Sequence, residues 1–586
     1  MLEDILLQVQ KPGRYIGREW NVSRKDFHQA EIKVALCFPD LYEVGMSNLG
    51  IRILYGLLNS ISGVVCERVF ACAQDLEKIL RESRTQIFSL ESRQPLSCFD
   101  IVGFSLGSEL DYTNVLNILE LGNIPLEASL RDRRHPLVIG GGPCALNPEP
   151  MHEFFDLFAI GEAEELILEL VGVLRGELIR YRDGRIAKQE LLRRLISVEG
   201  VYAPSLYEVR QEESSGLIKE FRPKEDGIPL KIKKRFVRDL NASFFPREWL
   251  LPYIQIIHDR VTLEIMRGCP NRCRFCQARS QYYPYRQRDK DNLLRLAAQV
   301  YQNSGYEEIS LAGLSVSDYS GIEQLLEGMF SLFKNKAVAV SLPSLKSTCL
   351  VGNLSRLIAQ GKKTGLTFAP EAGSARLRDV LAKDFAEEEF FHNLSQAYLS
   401  GYQRVKLYFM LGIPFEREKD LDGIVNFSLR ASRLKREVTG GGPALVNISI
   451  NSLIPKPHTP FQWLKAEGQE DIKKKQEYLR SRLRDKRLKV SFHNRQMSFL
   501  EGVLSRGDRR LSRVILAAFK KGARFDSWDD YFVLQRWLEA FSDCGIDPDS
   551  YLKEKSPDEF LPWDFIDCGI DKRALAGEFN KLIANT

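Results

Sequence analysis

The chain of 586 residues is 44% apolar and 27% charged, and 83 basic against 78 acidic residues leave a net charge of only +5. That length supports about three or four folded domains, and the near-balance of charge excludes a global nucleic-acid signature. No apolar run approaches the roughly 18 residues of a membrane span, and the acidic start Met-Leu-Glu-Asp has no basic n-region, so a cytoplasmic location and no membrane partner are expected. Eleven cysteines, an odd number, fit a reducing compartment in which most serve as small apolar side chains.

Residues 1–180 read as a Rossmann-like α/β domain. Strands are expected at 31–39, 99–106, 136–142 and 157–160, with helices at 50–58 and 112–119. Such alternation implies a parallel sheet. Ligands of these sheets sit at the carboxyl ends of the strands. Here those ends hold the glycine-bearing stretches 45–50, 105–108 and 140–142. No G-x-G-x-x-G or Walker A pattern occurs.

Residues 181–254 read as a connector with a helix at 190–196 and a basic set, Lys231, Lys233, Lys234 and Arg235. A solvated face is the ordinary reading of such a run, and RNA contact is the alternative.

From 255 to 465 the alternation resumes. Strands are expected at 261–266, 308–312, 337–342, 364–369, 405–410 and 446–453, with helices at 291–302, 320–333 and 385–399. Six β/α units suit a partial (β/α)6 barrel with ligands at the carboxyl ends of its strands. Just after the first of these strands, Cys269, Cys273 and Cys276 stand as C-x3-C-x2-C. Three thiolates this close can hold three irons of a [4Fe–4S] cluster and leave the fourth open. Zinc would want a fourth Cys or His at a fitting spacing, and the nearest histidines, His258 and His392, make no familiar pattern.

The sixth strand ends in Pro455-Lys456-Pro457-His458-Thr459-Pro460. Lys456 and His458 are candidates to move protons, with an exposed surface turn as the plain alternative. Residues 466–586 read as a mainly helical, charged region with helices at 470–486 and 511–520. Its run Arg506-Gly507-Asp508-Arg509-Arg510 either grips an anion or caps a helix with solvated arginines.

The strand, the Gly-Cys-Pro turn and the cysteine loop together resemble the first unit of the radical S-adenosylmethionine (SAM) enzymes. The resemblance implies that the open iron chelates SAM and that electron transfer splits it to a 5′-deoxyadenosyl radical. It implies SAM-side roles for Phe275 near the adenine, for Gly313, for Glu371, Gly373, Ser374 and Arg376 after the fourth strand, and for Gly412 and Pro414 after the fifth.

The whole chain resembles an uncharacterised subgroup of B12-binding-domain radical SAM proteins, related to the cobalamin-dependent radical SAM methyltransferases. That family carries D-x-H-x-x-G, S-x-L and Gly-Gly motifs at the edge of its Rossmann domain. Here Gly50, Ser105, Gly141 and Gly142 match. Gly45 and Ser47 replace the Asp and the cobalt-ligating His, and Gly107 replaces the Leu. The implied cobalamin set is therefore Ser47, Gly50, Ser105, Gly107, Gly141 and Gly142, with no imidazole below cobalt.

The implied activity is methylation of an unactivated carbon, with a [4Fe–4S] cluster, SAM and cobalamin as cofactors and flavodoxin or ferredoxin as electron donor. Radical chemistry without methyl transfer (cyclisation or RNA modification) and a non-catalytic cobalamin or redox sensor are the alternatives.

Overall fold

The computed structural model describes residues 2–212, 215–342 and 366–584. The chain forms two compact units. One comprises Met1–Asp259, Val503–Tyr551 and Asp558–Gly569, and the other Arg260–Gly502, Leu552–Pro557 and Ile570–Thr586. Among the described residues no helix is long and apolar enough to cross a membrane.

The first unit is built on one sheet. Its strands are β1 (Ile32–Phe38), β2 (Val64–Phe70), β3 (Ile101–Ser105), β4 (Leu137–Gly141), β5 (Leu157–Ala159) and β6 (Val201–Tyr202). They lie in the order β2-β1-β3-β4-β5-β6. All pairs are parallel except β5 with β6. The reversal of strand order falls between β1 and β3, where doubly wound sheets open a crevice at their carboxyl edge.

Strand β2 was not legible in the sequence because Glu67 and Arg68 interrupt its apolar run. Both are buried. Arg68 is satisfied by Glu19 at 2.8 Å and Glu91 at 2.6 Å, so the charge is neutralised inside the unit.

Two sequence readings are corrected here. The basic set is not simply a solvated face: Lys234 is buried, and Arg235 binds Glu165 at 3.0 Å and Glu169 at 2.6 Å. The Arg-Gly-Asp-Arg-Arg run neither caps a helix with its side chains nor points its arginines to solvent. Arg506 is fully buried, Arg509 Nε meets Glu149 at 2.6 Å, and Arg510 meets Asp508 at 2.9 Å. Asn147 donates to the carbonyls of Ser505 and Gly507, which ties this run to the loop after β4.

Further along, the chain turns at Phe525–Trp528 against the carboxyl edge of the same sheet. Asn114 Nδ2 donates to Pro39 O at 2.8 Å, and its Oδ1 accepts from Phe525 N at 2.9 Å. Thr113 donates to Asp526 at 3.0 Å, Ser527 to Asp111 at 2.9 Å, and Trp528 Nε1 to Asp40 at 2.9 Å.

The second unit carries two parallel sheets among the described residues. One orders β7 (Val261–Glu264), β8 (Glu308–Ala312) and β9 (Ala339–Ser341). The other orders β10 (Leu366–Glu371), β11 (Arg404–Leu411), β12 (Leu445–Ser452) and β13 (Leu488–Phe492). Helices Lys290–Ser304, Ile322–Leu332, Glu387–Leu399, Glu418–Thr439 and Gln469–Arg482 connect them. The chain thus has the mixed α/β architecture expected, with parallel sheets and connecting helices in both units.

Strand β13 lies in the region read as helical and extends the array by one parallel strand. The expected strand 364–369 begins outside the described residues, as does Cys349. The core beside β10–β12 is aromatic: Phe390 stacks on Phe427 at 5.1 Å and packs edge-on against Phe368, also at 5.1 Å.

The buried Asp526 carboxyl, next to Thr113 and Trp537, is pushed up to about 6 by burial, against the pull of Arg536 and Arg524. A carboxyl raised in the fold binds its proton more tightly folded than unfolded. Its stabilising contribution is therefore full below the unfolded value near 3.9 and lost as pH rises through about 6. Asp526→Asn, which mimics the protonated form, should flatten the fall in urea midpoint between pH 4 and 6. Parallel profiles for the two proteins would contradict this.

Candidate functional site

The cysteine loop is clasped at its base. Met266 and Arg267 pair antiparallel with Gln287 and Arg286, so the segment between them leaves β7 and returns to the same place. The turn into the loop needs a residue without a side chain. Gly268 has φ +85°, and a Cβ there would lie 2.7 Å from Tyr285 Cα and 2.8 Å from two carbonyl oxygens. Arg274 anchors the middle of the loop, its N donating to Leu381 O at 2.9 Å and its Nη1 to the Asp379 and Val380 carbonyls at 2.8 Å.

Cys269, Cys273 and Cys276 are all free and half-buried. Burial pushes the Cys273 thiol up to about 11, against the pull of Lys383, and also raises that of Cys276. Each of these two thiols feels the charge of Glu371 and of its neighbouring cysteines. Among the described residues no three His, Cys, Asp or Glu side chains draw together as around one metal ion. The ligands of a cluster sit on separate irons and lie farther apart than the ligands of a single ion. Three soft thiol donors, held on an anchored loop at the carboxyl end of a strand, fit three corners of a [4Fe–4S] cluster.

Two groups beside this loop were missed in the sequence. Asn271 Nδ2 has two hydrogens and two acceptors, Cys269 Sγ at 3.3 Å and Asp318 at 3.0 Å. Ser315 also donates to Asp318, at 2.7 Å. Lys383 binds Glu371 at 3.2 Å. Asn271 stands inside the cysteine motif and could have been flagged there. Asp318 and Lys383 carry no local signal.

The predicted SAM-side residues fall at the carboxyl ends of β8, β10 and β11, but several are engaged by the protein itself. Gly313 lies against Met266, since a Cβ there would approach Met266 Cγ to 2.5 Å. Glu371 has φ +66° and is half-buried, and desolvation raises its carboxyl against the pull of Lys383. Gly373 meets the backbone of helix Glu418–Thr439; a Cβ would lie 2.3 Å from Asp420 O and Ile424 N. Ser374 caps the helix at Ala375–Val380 and donates to Asp420 at 2.5 Å. Arg376 meets Asp420 at 2.5 Å and the Phe415 carbonyl at 2.9 Å. Gly412, with φ +79°, donates its amide to Glu416. Phe275 is half-buried, and Pro414 ends the turn after β11.

The loop after β12 is not a surface turn. His458 is buried with φ +57°, its amide donating to Gln462 and its carbonyl accepting from Ser280. Lys456 binds Glu501 at 2.7 Å. Nearby, an open pocket of about 380 Å³ is lined by Ser452, Glu467, Arg495 and Phe499.

On the N-terminal sheet, Ser47 is used twice, donating to Glu43 O at 2.7 Å and accepting from His258 N at 2.9 Å. Gly50 is exposed in the first turn of the helix Leu49–Ser60. Gly142 has φ +99° and packs against the Leu106 backbone. Ser105, Gly141 and Gly142 are half-exposed, Gly107 is exposed, and a Cβ on Gly107 would meet nothing within 4 Å. The β3–β4 side is thus open at Gly107, where no side chain stands in the way of a ligand.

Residues 50–204 match the N-terminal domain of radical SAM proteins, and residues 263–428 match the radical SAM superfamily. The chain is 29% identical to an uncharacterized protein of Methanocaldococcus jannaschii over 88% of its own length and 97% of that protein's. It is also 29% identical to a tRNA-2-methylthio-N(6)-dimethylallyladenosine synthase of Chlorobium phaeobacteroides, over 23% of this chain and 31% of the other. Among solved structures it is similar to the radical SAM methyltransferase TsrM of Kitasatospora setae with cobalamin and a [4Fe–4S] cluster bound (12% identity, 74% of each chain, TM-score 0.48). It is likewise similar to the cobalamin-dependent radical SAM enzyme OxsB with aqua-cobalamin and SAM bound (12% identity, 100% of this chain and 84% of the other, TM-score 0.48). Residues 263–428 are therefore a radical SAM domain, an enzyme domain that implies a [4Fe–4S] cluster and SAM.

Proposed function

We propose that the protein is a radical SAM enzyme that methylates an unactivated carbon, with its cluster on Cys269, Cys273 and Cys276 and cobalamin on the N-terminal sheet. The observation that carries the first part is the anchored three-thiol loop at the end of β7, beside the half-buried Glu371–Lys383 pair. Bound cluster and cobalamin would supply, respectively, the electron that splits SAM and the methyl group that is transferred.

The chain's own residues do the rest. The clasp at Met266–Arg267 and the Arg274 anchor hold the three sulfurs in fixed relation, which limits reorganisation on binding. The raised thiols of Cys273 and Cys276 must give up their protons to ligate iron, so cluster assembly is favoured at higher pH. Lys383 places a positive charge near Cys273 that favours its thiolate, and Glu371 holds that ammonium in place. Asn271 orients Cys269 by donating a hydrogen bond from its side-chain amide to the sulfur.

The test is anaerobic reconstitution with iron and sulfide, followed by dithionite and SAM. The wild-type protein should bind close to four irons and release 5′-deoxyadenosine. Cys269→Ala, Cys273→Ala and Cys276→Ala should each lose both. A fully loaded protein that leaves SAM intact would refute the reading.

Asn271→Ala should keep most of its iron but lower the midpoint potential of the reduced cluster, because a hydrogen bond to a ligating sulfur stabilises the more reduced state. SAM cleavage should fall roughly 10–100-fold. An unchanged potential measured by redox titration would remove Asn271 from this role.

A further inference from the structure

We propose that the corner Phe525–Trp528 is the resident occupant of the crevice between β1 and β3, so that a ligand of the N-terminal sheet is confined to its β3–β4 side. Doubly wound sheets take their ligands at the carboxyl edge where the strand order reverses, and in this sheet that point lies between β1 and β3. The corner fills it with polar contacts on both flanks.

From the β1 side, Asp40 accepts from Trp528 Nε1 at 2.9 Å. From the β3 side, Asp111 accepts from Ser527 at 2.9 Å and Thr113 donates to Asp526 at 3.0 Å. Asn114 bridges the two, with one end of its amide on Pro39 O and the other on Phe525 N. Asp40, Asp111, Thr113, Asn114, Phe525 and Asp526 are all at most 6% exposed. Several are charged or strongly polar groups, and burying them is costly unless each is paired, as it is here with this corner. A ligand entering between β1 and β3 would have to replace these bonds.

The β3–β4 side is built differently. Gly107 is exposed with open space over its Cα, and Ser105, Gly141 and Gly142 remain half-exposed. The position of a cobalamin on that side rests on the function proposed above; the filling of the β1/β3 crevice does not.

The experiment is hydrogen exchange on the full-length protein, with and without saturating hydroxocobalamin, paired with cobalt analysis after desalting. The expected result is that amides of 523–528 exchange at least roughly a hundredfold more slowly than an unstructured peptide, equally in both samples. Asn114→Ala should release that protection locally, whereas Gly107→Val should remove bound cobalt and leave the protection intact. Protection with no cobalt retained would overturn the cobalamin reading and uphold the filled crevice. Three results would overturn the inference: a corner unprotected in the free protein, a corner deprotected when cobalamin binds, or cobalt retention untouched by Gly107→Val.

Discussion

On the function proposed here, the structure depends on one constraint: three thiols on eight residues of chain must be held far enough apart for separate irons and still rigidly enough to leave one position open. A free loop would let the sulfurs collapse or wander. Here the loop is closed at its base by a short antiparallel pair, turned at Gly268 where no side chain fits, and fastened in the middle by Arg274 to the carbonyls of a neighbouring helix end. The clasp uses backbone hydrogen bonds, the turn uses the absence of a side chain, and the anchor uses the Arg274 amide and guanidinium. The sulfurs are thereby positioned by parts of the fold that do not take part in the chemistry.

The rest of the radical SAM domain serves the same end. Parallel strands β7, β8, β10 and β11 bring their carboxyl ends to the residues expected around SAM. The contacts show that many of these residues are occupied by one another. Ser374, Arg376 and Asp420 form a closed polar group, and Gly373 is required by its approach to a helix backbone. These positions therefore shape the rim. The charged pair Glu371–Lys383 stands next to the thiols themselves and is the part of this rim that bears on their electrostatics.

Much of this was legible in the chain. Alternating strands and helices gave both α/β units, and the C-x3-C-x2-C spacing singled out the loop proposed to hold the cluster. What was hidden shares a physical cause. Strand β2 carries Arg68, neutralised by Glu19 and Glu91, and Glu67, which accepts hydrogen bonds from Ser89 and Ser92, all from outside the strand. The Arg-Gly-Asp-Arg-Arg run reads as solvated until Glu149, more than three hundred residues earlier, is placed against Arg509. His458 reads as exposed until Ser280 and Gln462 are found to satisfy its backbone. Local patterns reveal apolar periodicity and ligand spacing; they do not reveal which charges find distant partners. The packing of the Phe525–Trp528 corner on the N-terminal sheet is of the same kind, since the bonds of Asp40, Asp111 and Asn114 reach across 411 to 488 residues.

The central claim is that Cys269, Cys273 and Cys276 leave one iron free to bind SAM. Electron–nuclear double resonance on the reduced, reconstituted protein addresses it directly, using SAM labelled with ¹⁵N at the amino group and ¹⁷O at the carboxylate. The account predicts hyperfine couplings from both labels, at strengths that require direct bonding to iron. A reduced [4Fe–4S] signal that shows neither coupling would contradict it.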